Sequence, residues 1–269
     1  MAGLLGSIRK LNGLGALPIA EPFAGGAGAS LKLLFLEETP KVHINDADPA
    51  IYDFWRSVVN NSEPFLEILR RKRASMAEWR RQKAVYESKA VSSLLRGFSA
   101  FYLNRCNHSG IISTGGPIGG HDQTGTWKIG ARYNKEELAD RCRRLAEFGE
   151  RIAVYSEDGL NFIQTLDPSE IFFFIDPPYY HKGPELYLNG LDTGYHARLA
   201  QCLMEMQNEA WVLTYDDCPE IRVMYQDWAN IRPFTIRYSA NERRAGKEVL
   251  ITPLWMRLPD TQASVAVAW

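Results

Sequence analysis

Short apolar runs alternate with stretches of helical period along most of this chain. The runs at 19–21, 42–45, 152–155, 171–175 and 211–215 are continuous enough for buried strands. Apolar positions recur at helical spacing over 29–37, 49–60, 193–207 and 218–227. This alternation predicts a mainly parallel sheet flanked by helices. Near the end, 231–238 and 248–254 are apolar runs on either side of the polar stretch SANERRAGK. They predict a closing antiparallel pair.

The alternation breaks once. From 61 to 148 there is no buried-strand pattern. Helical segments at 63–88 and 92–106 lead into the glycine-rich stretch SGIISTGGPIGGHDQTGTWKIGARY at 109–133, and a further helix follows at 134–148. The segment reads as a mainly helical insertion between the second and third strands of the core. Residues 1–60 and 149–269 then form one domain and 61–148 another.

Charge sharpens that division. The formal net charge is −1, but residues 55–152 hold 18 Lys/Arg against 10 Asp/Glu, a net of +8, and the remainder holds 13 against 22, a net of −9. A basic segment in an acidic frame fits a polyanion-binding lobe attached to a small-molecule domain, or a solvated helical face. With 269 residues, 45% of them hydrophobic, the chain can bury a large core. No apolar run is long enough for a membrane span, and MAGLLGSIRKLNGLG lacks the order of a signal peptide. The four cysteines form no Cys-x-x-Cys pair, and the five histidines show no metal-ligand spacing. A reducing, cytoplasmic setting without a bound metal is expected. With no G-x-S-x-G, a serine hydrolase is excluded.

Two motifs carry candidate chemistry. EPFAGGAGASL at 21–31 passes from a strand through a glycine-rich turn into a helix start, where backbone N–H groups favour anionic atoms. Asp46 ends the next strand and is suited to ribose hydroxyls, so a nucleoside-containing cofactor is favoured over an empty turn. The second motif is DPPY at 176–179, directly after a buried strand. Pro177 and Pro178 donate no N–H and stiffen the turn, holding the Asp176 carboxylate and the Pro177 carbonyl in set directions. Two acceptors aimed at one spot suit an exocyclic NH₂, and Tyr179 offers a face on which a base could stack.

EPFAGGAG, FYLNRCNHSG, IDPPYY, WVLTYDDCPEI and SANERRAGKEVLI, in that order, resemble the motifs of the Dam-like DNA adenine-N6 methyltransferases, the D12 class, over about 19–254. The resemblance implies a Rossmann-like α/β methyltransferase sheet with S-adenosylmethionine over Phe23, Ala24, Gly25 and Gly26. Asp46 would take its ribose hydroxyls, and Asp158 would lie near its adenine. Asp176 and Pro177 would bind the N6 amine of a flipped adenine in double-stranded DNA, with Pro178 stiffening the turn and Tyr179 stacking on the base. The insertion would be the target-recognition lobe. Asn104, Arg105, Ser109 and Gly110 match its hairpin entry, Arg132 and Tyr133 its exit, and Arg243 and Arg244 would add DNA contacts.

The sequence departs from that family pattern in having no Lys-Trp-x-Gly-Gly-Lys segment before the first strand, so lower cofactor affinity or a different cover is expected. The glycine-rich stretch at 113–125 also departs from the GATC-reading enzymes. Two alternatives stay open: amino-methylation of RNA or of a protein glutamine amide, and a DNA-binding module with a vestigial cofactor pocket.

Overall fold

Among the described residues the apolar runs form eight strands: β1 Ile19–Glu21, β2 Val42–Asn45, β3 Ile152–Tyr155, β4 Phe172–Ile175, β5 Trp211–Asp216, β6 Ala229–Arg237, β7 Gly246–Pro253 and β8 Val265–Ala266. They belong to one sheet in the order β3-β2-β1-β4-β5-β7-β6-β8. The computed structural model describes residues 1–88, 90–181, 192–237, 246–260 and 265–266. Strand β1 pairs in parallel with β2 on one side and β4 on the other, and β4 pairs in parallel with β5. Strand β7 then enters antiparallel between β5 and β6. This is a mixed α/β fold of Rossmann-like form. The chain order reverses between β1 and β4, so the loops leaving their carboxyl ends are neighbours, the usual place for a ligand in such sheets.

Two units divide the chain: Met1–Asp46 with Glu157–Trp269, and Ala47–Ser156. In the first, Phe172, Phe174, Val212 and Leu250 turn one face of the sheet toward Leu5 and Ile8 of helix α1 (Ala2–Leu11) and Leu33 of α2 (Gly28–Phe35). Sequence patterning did not anticipate α1. Its buried face is only Ala2, Leu5, Ile8 and Arg9, too short a period to stand out. Arg9 is buried because one guanidinium nitrogen reaches the carbonyls of Gly15, Leu17 and Glu38 at 3.1, 2.8 and 3.2 Å. The same group lies 5.1 Å from the Phe172 ring, so its charge is offset by carbonyl dipoles and a π face. Among the described residues the further α-helices of this unit are α8 Gly159–Thr165, α9 Thr193–Glu205 and α10 Pro219–Tyr225.

The second unit holds α3 Pro49–Asn60, α4 Ser62–Arg71, α5 Met76–Glu87, α6 Ser93–Cys106 and α7 Lys135–Glu147, besides β3. Its core is aromatic: Phe54 stacks on Phe101 at 5.5 Å, and Phe65 meets Phe98 at 5.4 Å. The expected helix at 63–88 is two helices. Ser75 ends the gap between them by accepting the Glu78 amide at 3.2 Å, a cap that restarts the helix. The expected hairpin in this unit is replaced by a single bridge, Asn107 to Pro117, and a series of turns. Glycine and proline supply no cross-strand side-chain pairs there, so no ladder propagates. No described helix is long and apolar enough to cross a membrane.

Candidate active site

Strand β4 is buried at every position and delivers Asp176 to its carboxyl end. Thr214 of β5, the next strand, donates its hydroxyl to Asp176 Oδ1 at 2.6 Å. Water reaches Asp176 at the surface, yet its carboxyl is crowded by protein. Desolvation raises its pKa from the ordinary range, and the Thr214 hydroxyl opposes that rise.

The rest of the loop is tied to the sheet by two further carboxylates. The Tyr179 hydroxyl donates to Glu248 Oε1 at 2.6 Å, and the Tyr180 amide donates to Asp216 Oδ1 at 3.0 Å. Asp216 and Glu248 are directly opposite one another in the β5–β7 ladder. Like charges in that position repel. Each is instead supplied with a donor from the same loop, which converts a cross-strand liability into a two-point anchor. Tyr180 also packs 5.0 Å from the ring of His196, whose Nδ1 lies 2.6 Å from the Tyr215 hydroxyl. The Tyr179 hydroxyl, bonded to Glu248, fixes the direction of its ring's long axis from the far end of the side chain.

The glycine turn lies after β1, beside this loop. Gly25 sits at φ +47°, a left-handed conformation, and a Cβ there would enter open space. Its amide donates to Asp46 Oδ2 at 2.9 Å. Asn45, fully buried, staples three loops. Its amide nitrogen donates to the carbonyls of Pro22 and Glu157 at 2.9 and 3.0 Å, and its oxygen accepts the Glu157 amide at 2.9 Å. Asp158, one residue on, caps α8 by accepting the Leu160 and Asn161 amides at 3.0 and 3.3 Å. Phe23 is pressed against Gly159, where a Cβ would come within 2.4 Å of the ring. Thus Phe23, Gly25, Asp46 and Asp158 surround one corner of the sheet, while Ala24 is buried and Gly26 exposed. An open cavity of about 530 Å³ beside Asp158 is lined by α8 and α9 residues, among them Tyr195 and Arg198, and by none of the glycine turn.

Glu21 ends β1 beneath that turn and is buried. Its Oε1 accepts the Ser30 amide at 3.0 Å, in the first turn of α2. Burial pushes its pKa up to about 7 from 4.5, against the Ser30 hydrogen bonds and with a smaller push from Asp176. The folded protein therefore holds a proton that the unfolded chain loses between those values, so stability declines as pH rises from about 4.5 to about 7 and is level above. Glu21→Gln is expected to remove that decline and to raise stability at pH 8 by ~1–3 kcal/mol. Urea melts at pH 5 and pH 8 measure it, and an unchanged pH slope in the variant would contradict the burial argument.

A family model described as D12 class N6 adenine-specific DNA methyltransferase matches residues 11–242. The chain belongs to this family. A search of the curated proteins found no match.

The D12-class assignment gives the second unit its context. There the expected DNA contacts separate into two kinds. Arg105 is half-buried, with Nε donating to Asn104 Oδ1 at 3.0 Å. Burial, then Arg132 and Arg141, push its pKa down to about 10, so it stays charged at neutral pH among charges of its own sign. Arg132 donates to the backbone carbonyls of Asn104, at 3.0 Å, and Asn107. Ser109 lies on the surface at φ 53°, and Asn104 Nδ2 holds the Gly110 carbonyl at 2.9 Å. Tyr133 is buried instead, 5.1 Å from the Tyr102 ring, so it packs this unit from within. Arg243 and Arg244 lie outside the described residues. The residues that sequence reasoning missed are Thr214, Asp216, Glu248 and Asn45. Their one sequence signal is polarity inside otherwise apolar strands, as in the Glu248 that opens EVLI.

Proposed function

We propose that this D12-class protein transfers a methyl group from S-adenosylmethionine to N6 of an adenine extruded from double-stranded DNA. The observation that carries the reading is the locked loop after β4: Asp176 held by Thr214, with Tyr179 and Tyr180 tied to Glu248 and Asp216. Asp176 and the Pro177 carbonyl are acceptors for the two hydrogens of an adenine amine. Their pull on those hydrogens localises the nitrogen lone pair, which is otherwise conjugated with the ring. Tyr179, its hydroxyl anchored, presents a ring for the base to stack on.

The residues around the glycine turn fit the cofactor. The open space over Gly25 accepts a ligand where a Cβ would intrude. The Asp46 carboxylate beside it suits ribose hydroxyls, and Phe23 supplies an apolar wall. Phe23, Ala24, Gly25, Gly26, Asp46 and Asp158 would hold S-adenosylmethionine, which supplies an electrophilic sulfonium methyl. The chain's own task is to present the amine to it from the neighbouring loop, where orientation replaces a bimolecular encounter. An adenine stacked in a duplex cannot reach such a loop, so base extrusion is part of the proposal, at a cost of a few kcal/mol.

The second unit, Ala47–Ser156, carries 18 Lys/Arg against 12 Asp/Glu. Its half-buried Arg105, among like charges, suits a phosphate. Trp127, 64% exposed in the glycine-rich stretch of this unit, leaves a flat face for a base.

Incubating the protein with labelled S-adenosylmethionine and duplex DNA, single-stranded RNA or a glutamine-containing protein tests the reading. Label in duplex DNA, recovered as N6-methyladenine, is expected; label only in RNA or protein would overturn it. The acidic limb of the rate profile tests the loop. The ionised Asp176 carboxylate is the stronger, acceptor-only form, so activity is expected to rise as pH passes its elevated pKa. Thr214→Val removes a donor that favours the ionised form, so the limb moves to higher pH and the single-turnover rate below it falls about tenfold. A limb that stays in place would show that Thr214 does not tune Asp176.

A further inference from the structure

Beyond Tyr180 the same loop brings together three side chains that methyl transfer does not use. His181, Cys218 and Glu220 each offer one ligand atom, and these atoms all lie within 4.8 Å of one another. His181 Nε2 and Glu220 Oε2 are 3.3 Å apart. Two ligands on one zinc-sized ion in tetrahedral geometry are separated by roughly 3.2–3.6 Å, so the first pair already has the required spacing and the thiol needs a shift of about 1 Å.

The ordinary readings of the three account for little. His181 and Glu220 are 56% and 40% exposed, and an ion pair so exposed to water contributes almost nothing. Cys218 occupies the N-cap of α10, where oxygen-bearing side chains are favoured. It is buried, while the side chains of its two partners reach solvent. Asp217, next in the chain, is taken by Arg222 at 2.6 and 3.0 Å.

We infer that His181, Cys218 and Glu220 form a binding site for a thiophilic divalent cation of the zinc class. Imidazole, thiolate and carboxylate are the donor set that such ions select, and hard Mg²⁺ does not. Three protein ligands leave a fourth position for water. The ion would join the loop after β4 to the start of α10. The Tyr180 amide already bonds Asp216 of β5, two residues before Cys218, so the metal adds a second tie across the same junction. The site is independent of the proposed DNA chemistry, and its test needs no methyl transfer.

Co²⁺ is the probe, because thiolate ligation gives it a near-ultraviolet charge-transfer band. Titration of chelator-treated protein is expected to produce that band at one ion per chain, with Zn²⁺ displacing Co²⁺ and excess Mg²⁺ leaving it unchanged. Cys218→Ser should abolish the band. His181→Ala and Glu220→Gln, at exposed positions where folding is not at stake, should each weaken Zn²⁺ binding about tenfold or more by calorimetry. The melting temperature of the parent protein should rise with added Zn²⁺, and that rise should vanish in His181→Ala. Absence of the band, or a band that survives in Cys218→Ser through Cys106, Cys142 or Cys202, overturns the proposal. So does Zn²⁺ affinity unchanged in both His181→Ala and Glu220→Gln.

Discussion

Asp176→Ala is expected to abolish methyl transfer, with a fall of about 10³-fold or more in the single-turnover rate, while duplex affinity should stay within about twofold. The carboxylate is the charged acceptor at the end of β4, and no other described side chain occupies its place against Thr214. Its loss removes the interaction that strengthens as the amine becomes a nucleophile, and it does so without touching the basic unit. Asp176→Asn keeps an acceptor oxygen but loses the charge, so it should retain more rate than alanine and lose the acidic limb of the pH profile. Labelled-methyl transfer at saturating DNA, beside fluorescence anisotropy for binding, separates the two effects. Turnover near that of the parent protein in Asp176→Ala would overturn the assigned role.

The double variant Arg105→Ala/Arg132→Ala is expected to weaken duplex DNA binding by about 10²-fold at low salt. Arg105 is a charge held half-buried with Arg132 and Arg141 as its charged neighbours, a cost that an incoming phosphate would relieve. Arg132 acts partly through structure, because its guanidinium bridges the carbonyls of Asn104 and Asn107 at the mouth of the glycine-rich stretch. The single variants tell these apart. Arg105→Ala should lower the slope of log affinity against log salt by about 0.9, one phosphate contact. Arg132→Ala should in addition speed hydrogen exchange at 107–118. Affinity and slope both unchanged in Arg105→Ala would remove it from the DNA surface.

What was legible beforehand follows from how each feature is encoded. Strands β1, β2, β4 and β5 are buried almost throughout, so they read as short runs rich in apolar residues, and their order with intervening helices implies a parallel sheet. Asp176 and Asp46 are legible because each follows such a strand directly, and Gly25 because it lies four residues past one, so chain connectivity alone puts them at its carboxyl edge. The double helix at 62–87 was misread as one because Lys72, Arg73 and Ala74 fit either a helix or a gap, and only the Ser75 cap decides. The hairpin in the basic segment was expected from resemblance, but a stretch rich in glycine keeps one bridge and turns.

By itself, the sequence determined the alternation of strands and helices, the basic insertion, the glycine turn and the acidic proline loop, since all of these are local in the chain. Tertiary structure alone decided what holds that loop. Thr214, Glu248 and Asp216 come from strands 38, 69 and 36 residues away from their partners in the loop, and no local pattern records such pairings. Hydrogen bonds across a sheet depend on strand order and register, which are set by the packing of the whole core.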